Sequence, residues 1–283
     1  MIAAPATLRL RNPALLETLS PFLVATPENV RHFDLGPFGL AVDAANVFDP
    51  LHTRSEAFLD LLGHLDVATF GPEGMPMPRW VFFNGAELTG GIFGLGCPHT
   101  DVSDAARALL QVPDAYSGLV PFAMYIALPT FDPDVWVGHN LASAGPLLPD
   151  ERLKGLGGLT KALGLKCFRT KRQLGATQWD SAAIYVHSRM GPLGVLTAWT
   201  PGHSEPWTLT YAATTDDGAL RNLAHDLDAS VAHPEPDFWV ESDDHAEQQR
   251  LQDLIEAGQR FELVGPPESL GSKRQRIPIR QLP

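Results

Sequence analysis

Apolar and polar positions alternate along this chain in short stretches. From Thr53 to Val67, Phe58, Leu59, Leu61, Leu62 and Leu65 recur at helical spacing behind a Thr/Ser cap, which predicts a helix that the proline-rich run at 72–78 ends. Shorter apolar runs read as strands. Trp80–Phe83 and Gly91–Leu95 flank Asn84-Gly85, a hairpin signal. Phe122–Leu128 and Val135–Ala142 flank a Pro-Thr-Phe-Asp-Pro-Asp turn and read as a second hairpin. Leu174–Trp179 follows as a short strand, and Leu193–Thr200 pairs in pattern with Trp207–Thr214. Helical patterns lie over Gly157–Cys167 and over Asp180–Met190, the latter capped by Asp180 or Ser181 and stopped by Gly191. The N-terminal part predicts an amphipathic segment from Pro13 to Leu23 and a strand near Val30–Leu35.

Beyond Asp216 the helical patterns at Gly218–Val231 and His245–Ala257 are more polar, and the last dozen residues carry Lys273, Arg274, Arg276 and Arg280. The pattern predicts a main domain over 1–215 and a C-terminal helical appendage over 216–283, packed on the core and ending in a basic, partly flexible tail. The 25 glycines and 25 prolines are spread as punctuation, with no linker or repeat.

Composition narrows the function classes. The chain has 283 residues, 44% apolar and 19% charged, enough for a substantial core. A net charge of −12 argues against a nucleic-acid partner. Yet eight of the 21 basic residues (Arg152, Lys154, Lys161, Lys166, Arg169, Lys171, Arg172 and Arg189) fall between Pro149 and Gly191. Such an island suits a phosphorylated small molecule, or else forms a solvated basic helix face. Cys97 and Cys167 have no metal or disulfide spacing, and no signal-like or membrane-spanning run is visible, so a cytoplasmic protein without membrane association is expected.

The stretch Pro149-Asp-Glu-Arg152-Leu-Lys154-Gly155-Leu-Gly157-Gly158 places R-x-x-G-x-G directly before an apolar helix. A helix start gathers unpaired N–H groups at the positive end of the dipole, and glycine lets an anion approach the backbone closely. Candidate phosphate-binding residues are therefore Arg152, Lys154, Gly155, Gly157 and Gly158.

This stretch resembles the coenzyme A loop V-x-P-x-x-R-G-x-G-x-G of the GCN5-related N-acetyltransferase (GNAT) family, with Leu147 at the valine place and Leu153 at the first glycine place. The segment Asp180-Ser-Ala-Ala183-Ile184-Tyr-Val-His187-Ser-Arg-Met-Gly191 resembles the family's N-x-x-A-I-x-L-Y-x-K-x-G-F, with Asp180 in the asparagine place and His187 in the tyrosine place. The resemblance is clearest over residues 78–214. It implies an α+β fold with a mixed, mostly antiparallel central sheet and helices on both faces. It also implies acetyl-CoA or coenzyme A as co-substrate, held between splayed parallel strands Val135–Ala142 and Leu174–Trp179, and an amine acceptor, small molecule or peptide. By the same resemblance Lys171 or Arg172 would approach the adenosine 3′-phosphate, Asp180 belongs to the cofactor site, and a homodimer is suggested. Direct attack of the amine on the thioester needs a base and an acid. His139 is the candidate base, Glu87 a weaker one, and a protonated His187 the candidate acid for the leaving thiolate.

Two other readings stay open: a catalytically inactive GNAT-like protein that binds a ligand or partner, and an unrelated α+β protein whose glycine motif is coincidental. His99 with Asp101, and His203 with Glu205, each offer two metal-type ligands and lack a third, so they read as polar loop residues. Motifs of serine hydrolases, dinucleotide-binding folds and P-loops are missing. The acceptor pocket is expected between Thr53 and Trp80, with Phe70, Met75, Met77 and Trp80 as apolar lining, together with Phe93–His99 and the turn near His203.

Overall fold

The computed structural model describes residues 7–88, 90–202 and 205–283. The chain opens with α1 (Ala14–Thr18), β1 (Ser20–Val24), α2 (Pro27–Val30) and β2 (Val47–Phe48). The long helix α3 (Glu56–Phe70), α4 (Arg79–Leu88), β3 (Gly91–Pro98) and α5 (Asp104–Leu109) follow. Next come β4 (Leu119–Pro129), β5 (Val135–Ser143), α6 (Leu156–Cys167), β6 (Arg172–Gln178) and α7 (Ala183–His187). The remainder is β7 (Leu193–Thr197), β8 (Thr208–Thr214), α8 (Asp217–Leu223), β9 (Phe238–Glu241), α9 (His245–Glu256), β10 (Arg260–Leu263), β11 (Glu268–Gly271) and β12 (Arg274–Leu282).

All twelve strands join one sheet in the order β11-β12-β10-β7-β8-β6-β5-β4-β3-β1-β2, with β9 also on β12. Pairing is antiparallel except for β1 with β2 and β5 with β6. Helix α3 packs on β4 and β5, while α6 packs on β3, β4 and β5 and against α8. The mixed, mostly antiparallel sheet with helices is the expected fold class.

Three expectations are corrected, the first being the strand near Val30–Leu35, where Val30 ends α2 and a turn follows. Residues 80–83 belong to helix α4, not to a strand, so no hairpin turns at Asn84-Gly85. Both edges of β3 are taken, by β1 and by β4, which leaves no position for a strand at 80–83. The C-terminal part contains the expected helices, α8 and α9, yet it continues the central sheet instead of forming a helical appendage. β10 covers the outer edge of β7, and β12 covers β10. The basic tail is strand β12, whose Gln275, Ile277 and Ile279 alternate inward while Arg274 and Arg276 pair outside with Glu241, Asp243 and Glu268. Period-two burial beneath a charged outer face is what made this stretch resemble a free tail.

Candidate active site at the splayed strands

The parallel pair β5 and β6 holds for three residues only: Val135 with Arg172, Trp136 with Gln173, and Val137 with Leu174. Both strands run on without pairing, β5 to Ser143 and β6 to Gln178, so they part toward their C-terminal ends. A bulge reinforces the parting. Ile126 of β4 faces Asn140 and Ala127 faces Gly138, which leaves His139 as the extra residue.

Helix α6 starts at the open end of this splay. Gly155 is its N-cap with φ +89, a left-handed conformation that glycine adopts without steric cost. The first N–H groups of the helix have no intrahelical acceptor. The preceding loop is tied down by Asn12, whose side-chain amide donates to the carbonyls of Glu151, Arg152 and Lys154. Gly158 is set by packing, since a Cβ there would lie 2.6 Å from the carbonyl of Leu223, whereas one at Gly157 would meet only ordinary contacts with Ser143 and Leu141.

Basic side chains gather at this helix start, Arg189 and Lys154 from the sequence island and Arg11 and His225 from outside it. The His225 ring lies 3.5–3.9 Å from where side chains at Gly155 and Gly158 would begin. Its pKa is lowered to about 4, by burial first and then by the positive charges of Arg189 and Arg11. Burial and Arg11 lower Arg189 in turn. Neither arginine has an acidic partner among the described residues, so the α6 N-terminus carries uncompensated positive charge. Lys154 stands exposed beside it.

The rest of the basic island disperses. Arg152 folds back onto Asp150, with Nε at 3.0 Å and Nη2 at 2.8 Å, and lies close enough to Cys97 to influence it. Lys166 pairs with Asp217. Lys171 pairs with Asp134 at the start of β6, so Lys171 and Arg172 sit at the closed end of the splay, away from the α6 N-terminus. Asp180 is exposed just after β6 and does not cap α7, whose Ala183 N–H is accepted by Ser181 Oγ.

On the α3 face, His139 is exposed beside the buried Asp66. Asp66 Oδ1 accepts from Asn140 Nδ2 at 2.9 Å and Oδ2 accepts from the Met77 N–H at 2.6 Å. Burial raises the Asp66 pKa against the opposing pull of these bonds and of His139. The 75–78 segment is thereby pinned across the splay, and Met75 Sδ accepts from Gln178 Nε2 at the end of β6. Glu87 is exposed on α4.

His187 corrects its expected role. Its ring is buried against Tyr211, and Nδ1 lies 2.7 Å from Nζ of Lys161, itself completely buried. Burial first, then Lys161, lowers its pKa well below the ordinary histidine value, so it is neutral at pH 7 and is no acid in waiting. His99 and Asp101 lie in a short turn, and no group of three metal-type ligands occurs among the described residues; His203 falls outside them.

Sequence reasoning missed Arg11, His225, Asp66, Asn140 and the buried Lys161. Only Lys161 left a local signal, a single cation amid Leu159, Ala162, Leu163 and Leu165.

No protein-family model matches the chain, and no curated protein sequence matches it. Solved structures that align with part of it include two acetyltransferases. The ribosomal-protein-S18-alanine N-acetyltransferase from Escherichia coli is 14% identical, over 59% of this chain and 91% of that one, with a TM-score of 0.39. Nourseothricin acetyltransferase is 16% identical, over 45% of this chain and 66% of that one, with a TM-score of 0.30. The splayed parallel pair, the helix that crosses between those strands, and the mostly antiparallel sheet around them match the mixed α+β arrangement expected from the sequence.

Proposed function

We propose that this protein is an acyl-CoA-dependent N-acyltransferase, with acetyl-CoA as co-substrate and an amine as acceptor. The observation that carries the reading is the parting of β5 and β6 beneath a helix N-terminus crowded by unpaired cations. The α6 amides from Gly155 onward, with Arg189, Arg11 and Lys154, would hold the pyrophosphate and phosphates, since dipole and charge act there together, beside the neutral His225 ring. The splay between β5 and β6 would take the acyl-bearing arm, and the thioester supplies the activated acyl carbon.

The acceptor amine would approach from the α3 face, where the exposed His139 would take its proton. Asp66 attracts the resulting imidazolium and holds Asn140, and with it the bulge, in position. Met75 and Met77 border this side.

Titration calorimetry with coenzyme A tests the reading, with ATP and NAD as controls. Submillimolar binding that Arg189→Glu weakens at least tenfold is expected, followed by thiol release when acetyl-CoA meets an accepted amine. No heat at millimolar coenzyme A would refute it. One observation favours a second reading, a binding protein without turnover: His187 is neutral and occupied, which leaves the thiolate without the acid the family places there. Coenzyme A binding with no thiol release across an amine panel would select that reading.

A further inference from the structure

The mechanism above leaves unused the polar cluster at the point where the strands part. Tyr125 of β4 leans over Gly138 of β5, where a Cβ would lie 2.6 Å from the phenol oxygen and 2.5 Å from Gln173 Nε2. Tyr211 of β8 leans over Gly175 of β6 in the same way, 2.4 Å from the site of a Cβ. Gly138 and Gly175 directly follow the last paired residues, so these side chains floor the vertex of the splay. Lys161 of α6 projects into them. Its Nζ lies 2.7 Å from His187 Nδ1, 3.4 Å from the Tyr211 hydroxyl, and about equally far from the two tyrosine rings, 6.0 and 5.9 Å from their centres.

We propose that Lys161 is itself an acyl acceptor, taking the acyl group of a thioester bound between β5 and β6 to give an N-acyl-lysine within the protein. The inference rests on the acyl-CoA reading of the splay, and three features of the cluster carry it.

Lysine is almost never fully buried without a carboxylate partner. Here only burial acts on the group, and it lowers the pKa well below the ordinary lysine value, which favours the neutral, nucleophilic amine. In the tautomer with His187 Nδ1 unprotonated, the geometry also leaves the lysine lone pair free. The two N–H bonds of a neutral amine are directed to His187 Nδ1 and the Tyr211 oxygen, and no other hydrogen-bond partner of Nζ occurs among the described residues. Finally, the cluster is under-satisfied. The Tyr125 hydroxyl and Gln173 Oε1 are buried with no hydrogen-bond partner. Such orphans are rare in folded proteins and call for an explanation. An acyl carbonyl at the vertex would give Tyr125 the acceptor it lacks.

In the step, the Nζ lone pair attacks the thioester carbonyl, the N–C bond forms, and the C–S bond breaks with its electron pair leaving on sulfur. The surplus amine proton is taken up by the departing thiolate, while the N–H bond to His187 Nδ1 holds the amine in place. Amine and acyl thioester become amide and thiol, with no other reactant. The product is uncharged and so suits a buried position better than lysine does.

Intact mass and peptide mapping test this after incubation with acetyl-CoA, and in parallel with a small acetyl thioester that carries no nucleotide. One acetyl group on Lys161 is expected, absent in Lys161→Gln and formed at least tenfold more slowly in His187→Gln. Labelling of Lys161 by the small thioester, with no coenzyme A binding by calorimetry, would uphold the nucleophile and remove the coenzyme A reading. Coenzyme A binding with Lys161 unlabelled by either reagent would overturn the self-acylation and leave the transferase reading intact. Labels confined to the exposed Lys154 and Lys171, or no label with either reagent, would also overturn it.

Discussion

Replacing Lys161 by Met should change how stability depends on pH, in a direction the structure determines. The lysine is completely buried, and burial holds its pKa well below 10.5. Above the ordinary lysine value, folded and unfolded chains are both neutral there, and the group costs nothing electrostatically. As pH falls below that value, the unfolded chain takes up a proton that the folded chain refuses, so stability is lost until the depressed folded pKa is reached. In that window one proton changes stability by about 1.4 kcal/mol per pH unit. Within that window, between the depressed folded value and 10.5, the stability advantage of Lys161→Met over the native chain should therefore shrink as pH rises.

The difference between the two proteins is the quantity to measure. Cys97 and Cys167, whose pKa values burial raises, make both proteins less stable at alkaline pH and cancel in the comparison. The variant also leaves His187 Nδ1 and the Tyr211 hydroxyl short of a partner, a roughly pH-independent cost of about 1–3 kcal/mol that offsets the curve without changing its slope. Urea denaturation followed by fluorescence at four pH values supplies the difference. A constant difference across this range would mean that Lys161 keeps its proton in the folded state, and both the neutral amine and the self-acylation chemistry would fall with it.

Gly158→Ala should destabilise by about 1–3 kcal/mol in thermal unfolding because its Cβ meets the Leu223 carbonyl, while Gly157→Ala should change the midpoint little. Arg152→Ala should lower coenzyme A affinity less than threefold, since its guanidinium is engaged by Asp150, against at least tenfold for Arg189→Glu; calorimetry ranks the two. Asp66→Ala strands the Met77 N–H and the Asn140 amide and should cost roughly 2–4 kcal/mol in chemical denaturation. Saturating coenzyme A, at about a hundred times its dissociation constant, should stabilise the folded chain by about 2.7 kcal/mol in a thermal shift.

Local pattern alone determined much of this protein. The helix over α3, the hairpin of β4 and β5, the pair β7 and β8, and the glycine turn opening α6 each follow from short-range periodicity and from residues with one strong backbone preference. The same local logic failed where a neighbour decided the outcome. Asn84-Gly85 is a strong turn signal, but β1 and β4 already occupy both edges of β3. The alternation in β12 is hidden under arginines whose acidic partners come from β9, the turn after it and β11.

The candidate site divides the same way. R-x-x-G-x-G located the helix start, because glycine in the left-handed region is a local requirement. Which basic side chains reach that start was a tertiary matter: Asp150 draws Arg152 away, while Arg11 and the neutral His225 ring arrive from segments more than 60 residues distant in sequence. Whether Lys161 is a solvated surface charge or a neutral buried amine likewise depends on what the sheet places beneath it. Charge and pKa follow from burial and from distances in space, and a linear sequence carries neither.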